Sequence, residues 1–201
     1  IKEYLKCYED QVLEDWYELI RHISVSETGE GIETCCDWIQ KKMEEIGIQV
    51  TKYSVKPAPV LVGRFGNDPE KKTVLIYAHY DVKPAGERKL WHSDPFVPTV
   101  RDGKVYARGS ADNKSPLMAH LKALEYFVRK KMEVPVNVIF VFEGDEECGS
   151  RGLEEFLAEH RTELAADLVF FSDGPKDPSG LPIIALGAKG DLSIHITVET
   201  M

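Results

Sequence analysis

The 201 residues suffice for one domain, or for one domain and the beginning of another. A hydrophobic share of 43% and a charged share of 29% describe a globular chain with a sizeable core. The net charge of −9 argues against nucleic acid or an anionic membrane surface as the main partner, and no apolar run approaches the roughly 20 residues of a membrane span.

In chain order, apolar residues at helical spacing (Val12, Leu13, Trp16, Leu19, Ile20) predict a first helix over 3–22. A turn at 28–31 and a second helix over 32–46 follow, with Gly47 as the stop. Short β-rich runs at 50–55, 60–66 and 73–80 come next. Residues 83–104 read as loop or hairpin, with Asp102-Gly103 as a turn signal. Then come a helix over 116–131, a nearly unbroken apolar strand over 136–142, a helix over 152–164 and a strand over 168–172. A loop at 173–181 and strands near 182–186 and 192–199 end the series. Strands alternating with helices predict an α/β layered domain with a mostly parallel, mixed central sheet flanked by helices. A domain rarely stops within a half-buried strand, so the reading expects a truncated chain.

Cys7, Cys35, Cys36 and Cys148 show no C-x-x-C spacing and read as thiols of a reducing cytoplasm. The N-terminal stretch is charged and amphipathic, without the basic flank and apolar core of a secretory signal.

The chemistry gathers at strand ends, where α/β sheets bind ligands. The run 73–78 leads into His79-Tyr80-Asp81, the strand at 136–142 into Glu143-Gly144-Asp145-Glu146-Glu147, and the strand at 168–171 into Ser172-Asp173. A fourth segment, 105–110, leads into Asp112. One imidazole among several carboxylates is costly in like-charge repulsion unless cations neutralise it. Imidazole and carboxylate without thiolate suit zinc, cobalt or manganese, and a bridging carboxylate would hold two ions about 3.5–4 Å apart. Each piece alone has a plain structural reading: a helix cap for Asp112, favourable charge near a helix start for Glu146 and Glu147, a turn for Asp173.

Taken together, several ordered motifs change the weighing. They are His79-Tyr80-Asp81-Val82, Trp91-x-Ser93-Asp94-Pro95-Phe96, Arg101-Asp102-Gly103-Lys104-Val105-Tyr106, Asp112-Asn113-Lys114 and Glu143-Gly144-Asp145-Glu146-Glu147-Cys148-Gly149-Ser150. From about residue 10 to 191 the chain resembles the zinc aminoacylase and dipeptidase family of metallopeptidases, most of all its carnosinase-like branch. The resemblance implies an active site with two Zn2+ ions, with Mn2+ or Co2+ as substitutes. It makes His79 and Asp173 ligands of the first ion, Asp112 the bridge across a cis Asp112–Asn113 peptide, and Glu147 a ligand of the second. Asp81 would orient the His79 imidazole. Glu146 would be the general base that takes a proton from the attacking water and delivers it to the leaving amine.

The sequence departs from the family pattern at Ser115, where glycine usually follows the lysine. The family also takes a second-metal histidine from far down the chain, and His22, His92, His120, His160 and His195 all read better as structural or surface residues. Residues 1–187 are therefore expected to be a metallohydrolase catalytic domain, and 188–201 the start of a lid and dimerisation domain. The implied activity is hydrolysis of an amide bond in dipeptides or small peptides. The alternatives are an N-acyl amino acid deacylase and an inactive, truncated metal-binding module. The implied partners are a small peptide or N-acyl amino acid substrate and, through the lid, a second copy.

Overall fold

A computed structural model describes residues 2–174, 179, 181, 183–184, 190 and 194–200. Helix α1 (Lys2–Arg21) buries Leu19 and Ile20, and α2 (Ile32–Ile46) buries Cys35, Cys36, Ile39 and Met43, ending one residue before Gly47. The strands β1 (Gln49–Tyr53), β2 (Val60–Phe65) and β3 (Thr73–His79) follow. A small outlying hairpin is made of β4 (Thr99–Arg101) and β5 (Lys104–Tyr106). Its two-residue turn places Asp102 and Gly103 at φ of 50° and 69°, a left-handed pair that an Asp-Gly dipeptide tolerates. Helix α3 (Lys114–Arg129), β6 (Asn137–Glu143), α4 (Leu153–Glu159) and β7 (Leu168–Phe171) complete the described elements.

The central sheet has the order β1-β2-β6-β3-β7. Because β2 alone is antiparallel to both of its neighbours, the other four strands point the same way. Alternation along β6 divides the core between the two faces of the sheet. Val138, Phe140 and Phe142 pack with Leu19, Ile39, Met43, Leu117 and Leu121 of α1–α3, while Ile139 and Val141 pack with Val60, Val62, Phe156 and Leu164 on the α4 side. This double burial explains why β6 reads as a continuous apolar run.

Two expectations are adjusted. The helix expected over 152–164 stops at Glu159 and continues as a turn, in which the Leu164 N–H still donates to His160 O (3.0 Å) and keeps Leu164 in the core. The strands expected near 182–186 and 192–199 lie partly outside the described residues. The described ones, 183–184 and 194–199, are not in strand. Ile194, Ile196 and Val198 are exposed there, and among the described residues nothing pairs with them, so the alternating pattern lacks the neighbour that a strand needs.

Candidate metal centre

The last pair in the β3–β6 ladder is His79 with Glu143, so the carboxyl ends of the two central strands coincide. His79 is fully buried. Its Nδ1 lies 3.1 Å from Asp81 O and 3.3 Å from Asp81 Oδ1, which leaves Nε2 facing outward. Asp81, also fully buried, accepts the backbone N–H groups of Glu146 (3.2 Å) and Glu147 (3.0 Å). One carboxylate thus fixes both the imidazole and the acidic turn. The strand exit is held from behind, where the buried Ser24 donates its hydroxyl to Tyr80 O (2.6 Å) and accepts the Val82 N–H on its carbonyl (2.8 Å).

Asp112 does not come from a strand of the central sheet. It comes from the turn between the outlying β5 and α3, so one of the four expected strand ends is a helix approach instead. The Asp112–Asn113 peptide is cis. The approach is anchored by Lys114, whose fully buried ammonium donates to the carbonyls of Leu19 (3.1 Å) and His22 (2.6 Å) at the end of α1. Burial pushes the Lys114 pKa down, and the charges of Cys35 and Asp81 only partly offset this.

Beyond β6, Gly144 passes so close to Tyr80 that a side chain there would meet the ring at 2.5 Å. Asp145 spends its carboxylate on Arg151 (2.7 and 2.9 Å), and Glu143 accepts hydrogen bonds from Tyr77 (2.5 Å) and Ser150 (2.7 Å). The sequence assigned neither residue a role. Glu146 stays uncommitted and points at the site. Glu147 lies 3.3 Å from Lys83 Nζ and is not part of the cluster described below.

Around His79 Nε2 stand Asp112 Oδ1 at 3.1 Å, Asp173 Oδ2 at 3.2 Å and Glu146 Oε2 at 3.7 Å. Ligand atoms of His79, Asp112 and Asp173 all lie within 4.8 Å of one another, the one such group among the described residues. Burial disfavours the imidazolium, but the Asp81 hydrogen bond and charge, followed by Glu146 and Asp173, outweigh it and raise the His79 pKa to about 9. Burial likewise disfavours the charged form of Asp81, yet the His79 bond and charge, with help from Ser26 and the Glu147 N–H, bring it below the ordinary carboxylate value. The Glu146 carboxyl is pushed up by burial and by the charges of Glu147, Asp173 and Asp81, against the pull of His79. All of this describes a pocket that favours added positive charge. A single imidazole with carboxylates and no thiolate fits a divalent metal ion of hydrolytic type. His22, His92, His120, His160 and His195 stand outside the group, and all four cysteines are free.

The model of peptidase family M20/M25/M40 matches residues 75–199. Over 164 residues the chain is 41% identical to a Cys-Gly metallodipeptidase of Schizosaccharomyces pombe, covering 79% of this chain and 34% of that protein. It is 38% identical over 143 residues to the Beta-Ala-His dipeptidase of Mus musculus, covering 70% of this chain and 29% of the relative. Among solved structures it is similar to an M20 family metallo-carboxypeptidase of Sulfolobus solfataricus, with a TM-score of 0.80 and 36% identity over 84% of this chain and 38% of that one. The chain spans about a third of the length of the curated relatives it matches.

Proposed function

The chain belongs to peptidase family M20/M25/M40, and from that premise we propose that the whole protein is a metal-dependent dipeptidase whose site is built on His79, Asp112 and Asp173, with Glu146 as the base. The observation that carries this reading is the convergence of three ligand atoms within 4.8 Å of one another beside a carboxylate that, among the described residues, no lysine or arginine engages. Two Zn2+ ions, or Mn2+ or Co2+ in their place, would polarise the scissile carbonyl and make a water nucleophilic near neutral pH.

The remaining steps belong to the chain's own residues. Glu146, partly exposed and with its pKa raised, takes a proton from the attacking water and hands it to the departing amine. Asp81 keeps the His79 ring oriented and, through the N–H groups of Glu146 and Glu147, holds the base in reach of it. Glu147 would leave Lys83 to serve the second ion, with Asp112 shared between the two. Residues 1–187 are the proposed catalytic domain, and 188–201 open a lid through which two copies pair. The free cysteines suit a reducing cytoplasm.

The Schizosaccharomyces pombe and Mus musculus relatives carry dipeptidase names, so small dipeptides are the proposed substrates and deacylation is the weaker alternative. A panel of dipeptides, Cys-Gly and β-Ala-His among them, offered to the full-length protein beside N-acyl amino acids decides between them. Turnover of dipeptides with added Zn2+ or Mn2+ is expected. Turnover confined to N-acyl amino acids would contradict the reading.

A further inference from the structure

The three ligand candidates are not held equally well. His79 is the last rung of a strand paired on both sides, and Asp112 precedes a helix anchored by the buried Lys114. Asp173 has neither support. Among the described residues, strand β7 pairs with β3 alone, its last ladder partner is Phe171, and Leu168, Val169, Phe170 and Phe171 are all exposed. Asp173 therefore leaves the sheet two residues beyond its final rung with β3.

One contact from α3 and one from Asn113, the residue just before it, reach Ser172 between Phe171 and Asp173. His120 Nε2 lies 2.7 Å from Ser172 Oγ, and the buried Asn113 donates its amide Nδ2–H to Ser172 O at 3.3 Å. The His120 ring also meets Phe170 edge-on at 5.5 Å, which sets its plane against β7. We propose that His120, acting through Ser172, is the positioning residue that holds Asp173 in reach of the metal. Asn113 ties the same residue to Asp112, so α3 locks two ligand segments together from one side. The inference rests on the metal-site reading given above and adds to it a residue that stands outside the ligand cluster. A polar partner that orients a ligand from behind typically contributes 10- to 100-fold in metal affinity.

Titration of the 201-residue chain with Zn2+ alone, paired with thermal melts of the metal-free protein, tests this. His120→Leu keeps the bulk and removes the ring nitrogen, and Ser172→Ala removes the hydroxyl with little change in packing. Both are expected to weaken Zn2+ binding about tenfold while melting near the wild type without metal. His120→Gln, which can place a polar atom near the Nε2 position, is expected to recover most of the lost affinity. A merely structural histidine would instead give a lower metal-free melting temperature in the Leu and Gln variants alike, with no difference in affinity between them. Asp173→Asn is the control. If it weakens binding and neither His120→Leu nor Ser172→Ala does, the positioning role is overturned and the metal site stands. If Asp173→Asn binds as tightly as wild type, the metal-site reading fails at Asp173 and the positioning role falls with it.

Discussion

Two clusters of carboxylates in this fold face opposite circumstances. Between α1 and α3, Asp15 and Glu125 are matched by cations: Lys42 lies 3.1 Å from Asp15, Lys122 bonds both Asp15 and Glu125, and Arg129 lies 2.5 Å from Glu125. At the carboxyl edge of the sheet, Asp112, Glu146 and Asp173 surround one imidazole, and among the described residues no lysine or arginine pairs with any of them. The titration of each cluster follows. Burial works against ionised Asp15, but Lys122 and then Lys42 bring its pKa below the ordinary value, whereas that of Glu146 is raised. Where the chain supplies its own counter-charge, a carboxylate is a strut. Where it withholds the counter-charge, the carboxylates repel one another and favour an added cation.

The comparison breaks most visibly if the base is removed. In the full-length protein, Glu146→Gln, which removes the proposed base, is expected to lower dipeptidase kcat by about 10²- to 10⁴-fold with metal content unchanged, as kinetics and elemental analysis would show. Loss of metal from Glu146→Gln would instead make Glu146 a ligand and exchange its role with that of Glu147. Next in size, Asp81→Asn should weaken Zn2+ binding by about 10- to 100-fold, read by calorimetry, because it disturbs both the His79 ring and the N–H groups of Glu146 and Glu147. An unchanged affinity would remove Asp81 from the site.

The matched cluster should answer in stability alone. Lys122→Met strips Asp15 and Glu125 of a shared partner and is expected to cost about 1–3 kcal/mol in chemical denaturation, with Zn2+ affinity unaffected. The smallest effect concerns pH. Because the folded pKa of Asp15 is depressed, its ionised form contributes stability at pH values above the ordinary carboxylate range near about 4, and that contribution is lost as pH falls through the folded pKa. Asp15→Asn should therefore flatten the acid side of the stability profile, and a profile as steep as that of wild type would contradict the assignment.

The two regions also differ in how legible they are in the sequence. The strand ends announce themselves, since apolar runs at 73–78, 136–142 and 168–171 each stop against an acidic or imidazole residue, and β3, β6 and β7 formed there. What the sequence left unread joins residues far apart. Examples are Lys114 on the α1 carbonyls, Ser24 against Tyr80, Glu147 beside Lys83, and His120 beside Ser172. Local periodicity carries no trace of such pairings, because each is decided by packing between elements and not within one. The origin of Asp112 is a related case. The sequence reads 83–104 as loop or hairpin and 105–110 as a fourth strand end, and only pairing reveals that 104–106 belongs to a hairpin apart from the main sheet.

The central claim, that the unmatched carboxylates exist to hold a metal, is tested most directly by metal retention. The purified chain, loaded with Zn2+ and dialysed at neutral pH, is expected to keep at least one ion per molecule. His79→Ala and Asp112→Asn should lose it, while Lys122→Met keeps it. A chain that retains no metal, or that retains it equally well in all three variants, would contradict the account.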